Sequence, residues 1–169
     1  MSPQVDLIIK CNKWSELSMD LSQIAHQCLK LIISKFTQDF DKINICVLLT
    51  SNTHMKKLNA NYRSKDKPTN VLSFAEFKID PDKIHDFIER ASFQSNGNIY
   101  LGTLALGYQI IAQEAQNYHI SFRQHYTHLI VHGILHLLGF DHETQQDAQV
   151  MEPLEQIILS NLQQNIVTL

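Results

Sequence analysis

Residues 121 to 142 read SFRQHYTHLIVHGILHLLGFDH, a helical run of isoleucine, leucine and valine carrying imidazoles where a buried helix would refuse polar side chains. Four residues advance about 6 Å and 400° along an α-helix, so His132 and His136 project one above the other from the same face. Gly139 follows where a helix ends in a left-handed cap, and Phe140 and Asp141 then turn the chain back, bringing His142 toward the pair. Three neutral imidazoles converging in apolar surroundings call for a cation. Zinc takes nitrogen ligands at about 2.0 to 2.1 Å in near-tetrahedral directions, and this set leaves the fourth direction open. The expected ligands of one Zn2+ per chain are therefore His132, His136 and His142. With nine histidines in 169 residues, the spacing HxxxHxxxxxH is expected by chance only about 0.02 times.

Three ligands and an open position point to hydrolysis. The spacing matches the metzincin peptidase pattern HExxHxxGxxH, yet Gly133 stands where that pattern carries its glutamate base. Cleaving an amide requires proton delivery to a poor leaving nitrogen. A phosphodiester chiefly needs charge neutralised on its oxygens, work that a metal and an arginine can share. Ligation by His125 and His128 as well would string the ion along more than about 10 Å of helix. His128 is expected beside the ligands or at the substrate edge, His125 at the surface, and His26, His54, His85 and His119 as ordinary surface residues.

Working outward, VDLIIK (5–10), INICVLL (43–49), NVLSFAEF (70–77) and IYLGTLAL (99–106) are strand-length apolar runs. Between them, Leu17, Leu21, Ile24, Cys28, Leu31 and Ile32 repeat at helical spacing after a Ser15 cap. Ser51 or Asn52 caps a second helix, and YQIIAQEAQNY continues as a third. Residues 78–97 read as a surface excursion with one short helix. The tail from Gln145 places Val150, Met151, Leu154, Ile157, Ile158 and Leu162 on a helix that Pro153 must kink or begin. The expectation is a single α+β domain over 1–169, with about four strands in a mixed sheet, about five helices and a metzincin-like zinc-binding helix.

The net charge of −3 is unevenly spread. No lysine or arginine follows Arg123, whereas KKLNANYRSKDK (56–67) carries a local +4. An anionic strand would land there: Arg63 can grip two phosphate oxygens at once, while Lys65 and Lys67 attract and position the strand. Thr69 and Ser73 can donate to phosphate, although in a strand such residues are more often simple pleat positions. Tyr62, Phe74 and Phe77 read as core packing before base stacking. Cys11, Cys28 and Cys46, odd in number and widely spaced, suggest a reducing compartment, and the N-terminal apolar run is too short for export or a membrane span.

HGILHLLGFDH, LNANYRSKDKPTNVLSF and LGTLAL together resemble the YbeY family of bacterial rRNA maturation factors, single-strand-specific metal-dependent endoribonucleases. The resemblance implies an α+β fold, zinc on His132, His136 and His142, and a cytoplasmic location. It also implies action on ribosomal RNA at the 16S 3′ end and in ribosome quality control, with the ribosome or small-subunit components as partners. Arg63 falls on the family's functionally important arginine, and Asp147, Met151 and Glu152 match its continuation. Two positions depart: Thr103 stands for the aspartate of LGDI, and Ala75 for the proline of VLSFP. Neither touches the ligands.

Two other readings compete. One is a zinc peptidase without its usual base, binding an extended peptide on an edge strand; the other is a non-enzymatic ribosome-assembly factor with structural zinc. The nucleophile stays open between activated water and the RNA's 2′-OH. Asp141 is expected either to orient a ligand imidazole or simply to make the turn, and Asp147 either to face the metal or not.

Overall fold

A computed structural model describes residues 3–38, 42–95 and 98–167, with side chains through residue 164. The strand-like runs form β1 (Gln4–Ile9), β2 (Ile43–Thr50), β3 (Val71–Ala75) and β4 (Ile99–Gly107). They build one mixed sheet in the order β1-β2-β4-β3, parallel except where β3 runs antiparallel to β4. The helices are α1 (Leu21–Ile33), α2 (Asn52–Arg63), α3 (Ile84–Gln94), α4 (Tyr108–Asn117), α5 (Phe122–Leu137) and α6 (Gln145–Val167). The expected α+β sheet is present, with six α-helices among the described residues instead of about five.

Alternation along β2 sends Ile43, Ile45, Val47 and Leu49 into the main core, while Leu48 faces a smaller cluster with Met55, Leu72 and Ala105. In β4 that alternation changes phase, because Leu101 and Leu104 both reach the main core. The register shifts by one residue here, and Gly102, at φ +139°, absorbs it: a Cβ there would lie 2.1 Å from the Phe74 carbonyl oxygen. The shift turns Thr103 away from α5. Its hydroxyl lies 2.5 Å from Tyr100 Oη, so the departure at Thr103 concerns the far face of the sheet. Ala75 ends β3 opposite Gly102.

Three local expectations change. Ser15 does not cap α1: Trp14 is buried, its ring nitrogen donates to the Thr50 carbonyl at 2.9 Å, and this anchoring keeps residues 12–19 out of the helix. Asp20 caps instead, accepting the Gln23 N–H at 2.8 Å. The excursion at 78–97 buries Ile79, Ile84 and Ile88, so α3 is a core-facing helix; its Asn96-Gly97 end lies outside the described residues. α6 runs through Pro153 and does not begin there. Its buried stripe is Met151, Glu155, Ile158 and Leu162, with Val150 and Ile157 exposed.

α5 lies at the centre, packed against α1, α4, α6, β3 and β4. A capping box of Ser121 and Gln124 starts it, with both reciprocal bonds formed. Packing on several sides explains why its apolar residues spread widely around the helix, leaving one face to the histidines.

Candidate active site

The last turns of α5 and the loop behind it carry the three histidines. Gly139 adopts φ +92° and its N–H reaches the His136 carbonyl at 3.1 Å, while the Phe140 N–H returns to the Leu135 carbonyl at 3.1 Å. This reversal brings His142 back over the helix. Ring centroids lie 4.6 Å apart for His132 and His136, 5.2 Å for His132 and His142, and 5.1 Å for His136 and His142. One donor nitrogen from each ring falls within 4.8 Å of the others, a set able to hold a metal ion.

The donor chemistry fits a cation at this point. His132 Nδ1 faces Glu155 Oε1 at 2.8 Å; donating its proton there, the ring presents a lone pair at Nε2, which lies 3.1 Å from His136 Nε2. Burial, reinforced by the neighbouring imidazoles, pushes the His136 pKa down to about 4, so its ring is neutral at pH 7. Lone pairs on two ring nitrogens that face each other are satisfied by an ion between them. Glu155 is 10% exposed and also meets His128 Nε2 at 3.0 Å. Burial alone would raise its pKa, but the bonds from His128 and His132 prevail and hold it at about 2. The Glu155 bond in turn raises His128 above its ordinary value against the opposing effect of burial.

Sequence reasoning passed over Glu155. The sign was a carboxylate on an otherwise apolar helical stripe, between Met151 and Ile158. Asp141, weighed for the orienting role, instead accepts the backbone N–H of His142 at 2.7 Å and makes the turn. Asp147 is exposed and bonded to the Thr144 hydroxyl at 2.6 Å, where it opens α6. His125, expected at the surface, is 4% exposed, with Nε2 2.7 Å from Glu114 Oε2; the packing of α4 on α5 covers it. His85 and His119 are exposed as expected, whereas His26 and His54 are half-buried.

A groove of about 720 Å3 joins the imidazoles to the basic segment, and Arg63, Lys65, Lys67, Thr69, Ser73, His132, His136 and His142 all line it. Ser64, at φ +55°, ends α2 in a left-handed turn. Buried Asn59, a second residue missed in the sequence, then clamps the loop. Its carbonyl accepts the Lys65 N–H at 3.2 Å and its side chain donates to the Lys67 carbonyl at 2.7 Å. Among the described residues, Lys56 pairs with Asp66, while Arg63, Lys65 and Lys67 meet no carboxylate. The Ser73 hydroxyl donates to the Gly133 carbonyl at 3.3 Å, and Thr69 precedes β3. Tyr62 is 67% exposed with its ring edge-on to Phe74, and Phe77 is 40% exposed against Phe87, so both leave the core to which their apolar rings assigned them.

A family model described as Endoribonuclease YbeY matches residues 8–163. Among relatives, an Endoribonuclease YbeY from Bartonella henselae is 39% identical over 158 residues, 94% of this chain and 92% of its own. Another from Chelativorans is 44% identical over 119 residues, 70% of this chain and 66% of its own. The solution structure of TM1509 from Thermotoga maritima aligns with a TM-score of 0.55 across 96% of this chain and 93% of that one, at 20% identity, a likeness of fold alone. The match thus runs from β1 to the last turns of α6 and takes in the histidine cluster, Arg63 and Glu155: the chain belongs to the endoribonuclease YbeY family.

Proposed function

We propose that this chain is a zinc-dependent, single-strand-specific endoribonuclease that matures ribosomal RNA in the cytoplasm. It would act at the 16S 3′ end and in ribosome quality control, in contact with small-subunit components. One observation carries the reading: three imidazoles able to hold a metal line the same groove as Arg63, which meets no carboxylate among the described residues. The relatives' name, Endoribonuclease YbeY, supports the substrate class.

His132, His136 and His142 would hold a divalent ion, which would act as a Lewis acid toward the scissile phosphate. Zinc suits a set of three imidazole nitrogens. Glu155 fixes the ring of His132 through Nδ1 and stays ionised across the physiological range. Arg63 offers two parallel N–H groups to non-bridging oxygens, where charge accumulates as the phosphorus is attacked. Lys65 and Lys67, held by Asn59, draw the flanking phosphates along the groove. Gly133 supports this reading over the peptidase: it stands where that pattern carries its glutamate base, and a Cβ there would meet the Leu104 side chain at 2.8 Å, so any side chain at this position requires Leu104 to shift.

Metal-loaded protein incubated with single-stranded RNA and, separately, with casein is expected to shorten the RNA and leave casein intact. Loss of casein would favour the peptidase, and loss of neither a structural metal. His136→Ala is the control for contaminating nuclease, and cleavage by it at the wild-type rate overturns the assignment. A 2′,3′-cyclic phosphate on the product would identify the ribose hydroxyl as nucleophile.

A further inference from the structure

A second cavity, of about 430 Å3, opens beside the imidazole cluster. It shares Asn70, Val71, Glu114, His132 and His142 with the basic groove, so the two spaces meet at the cluster. Their chemistry differs. The groove sets Arg63, Lys65 and Lys67 against Glu114, Asp141 and Glu143, whereas the residues lining the cavity include Glu114, Glu152 and Glu155 and no lysine or arginine. Both oxygens of Glu155 are taken by His128 and His132, so the acceptor the cavity offers to an uncharged ring bearing N–H groups is the Glu114 carboxylate, a poor neighbour for a phosphate. Apolar walls come from Tyr118, Ile120, Leu129 and Met151. Tyr118 is 61% exposed and Ile120 37%, and the Tyr118 ring is set edge-on to His125 at 5.7 Å. Glu114 is fixed through one oxygen, Oε2, by Asn70 at 3.0 Å and His125 at 2.7 Å, and among the described residues Oε1 has no partner.

We propose that this cavity receives one unpaired nucleobase next to the scissile phosphate, stacked on Tyr118 with Glu114 Oε1 accepting from its N–H edge; this rests on the endoribonuclease reading above. The volume lies within the usual range for small-ligand sites, roughly 300 to 1,000 Å3. Stacking on an aromatic ring tolerates every base, while the carboxylate favours those whose edge presents an amino group over uracil, whose two carbonyls flank its single ring N–H. A base held in a duplex cannot enter without leaving its stack, so the cavity itself selects single strands.

The test maps the cut in an unstructured RNA oligonucleotide, then replaces the base on either side of it by an abasic ribose. Wild type is expected to lose roughly tenfold in kcat/KM at one of the two positions. Tyr118→Ala should show the same loss on intact RNA and no further loss on the abasic strand, while Tyr118→Phe keeps wild-type rates. A fluorescent base analogue at that position, bound without added metal, should be quenched by wild type and not by Tyr118→Ala. Equal losses for Tyr118→Ala on both strands, or none on intact RNA, overturn the cavity assignment while leaving the nuclease intact. Absence of cleavage by wild type on every RNA overturns the endoribonuclease reading instead.

Discussion

Glu155 lies between two imidazoles, and its energetics follow from being mostly out of water. A buried carboxylate is stabilised only by good partners, and here His128 and His132 each occupy one oxygen. Glu155→Gln keeps the shape but removes the charge that orients and polarises the His132 ring. Metal affinity is expected to fall roughly tenfold to a hundredfold, read by chelator competition, with the fold retained. His136 has its folded-state pKa depressed from 6.5 to about 4, so the neutral ring is the native form. Its contribution to stability is complete above the unfolded value and is lost as pH falls through about 4. The metal-free protein should therefore show a urea midpoint that drops between about pH 6.5 and 4, and His136→Asn should flatten that drop.

At the scale of elements, the reversal after α5 determines whether His142 reaches the other two rings. Gly139 combines φ +92° with a Cβ position 2.0 Å from the Ile79 carbonyl oxygen, so an alanine there is strained by backbone and by contact. Gly139→Ala should cost at least about 2 kcal/mol. Metal binding should weaken with it, since the loop must shift and carry His142 away; calorimetry and zinc titration on one sample check both. The phase change at Gly102 is the corresponding device in the sheet, keeping Leu104 under α5 and Thr103 away from it.

At the scale of the molecule, the fold lays a cationic loop and a cluster of imidazoles along one groove in a chain whose net charge is negative. Binding of single-stranded RNA should therefore be strongly salt-dependent. If Arg63, Lys65 and Lys67 each neutralise one phosphate, the slope of log K against log salt contributed by them is about −2, and each removal to Ala should reduce it by about 0.7. Arg63→Ala should retain stoichiometric zinc while cleavage collapses. Lys65→Ala should weaken binding with a smaller effect on turnover, as expected of a group that attracts the strand without touching the reacting oxygens.

The metal set was legible because helical spacing and a glycine stop are local rules: His132, His136 and Gly139 lie within eight residues, and backbone geometry alone aims them. Strand positions and the basic segment were legible for the same reason. Glu155, Asn59 and the burial of His125 were not, since each draws its meaning from a neighbour distant in the chain: α6 folding back on α5, a loop curling over α2, and α4 closing on α5. Val150 and Ile157 share the helical spacing of the buried stripe yet are exposed, because a stripe shows its period in sequence while its phase is chosen by whatever packs against it. Sequence by itself therefore determined which histidines cluster and which basic residues share one segment. Only the tertiary structure decided which groups orient them and where the groove runs, because those depend on long-range packing and the burial of charge.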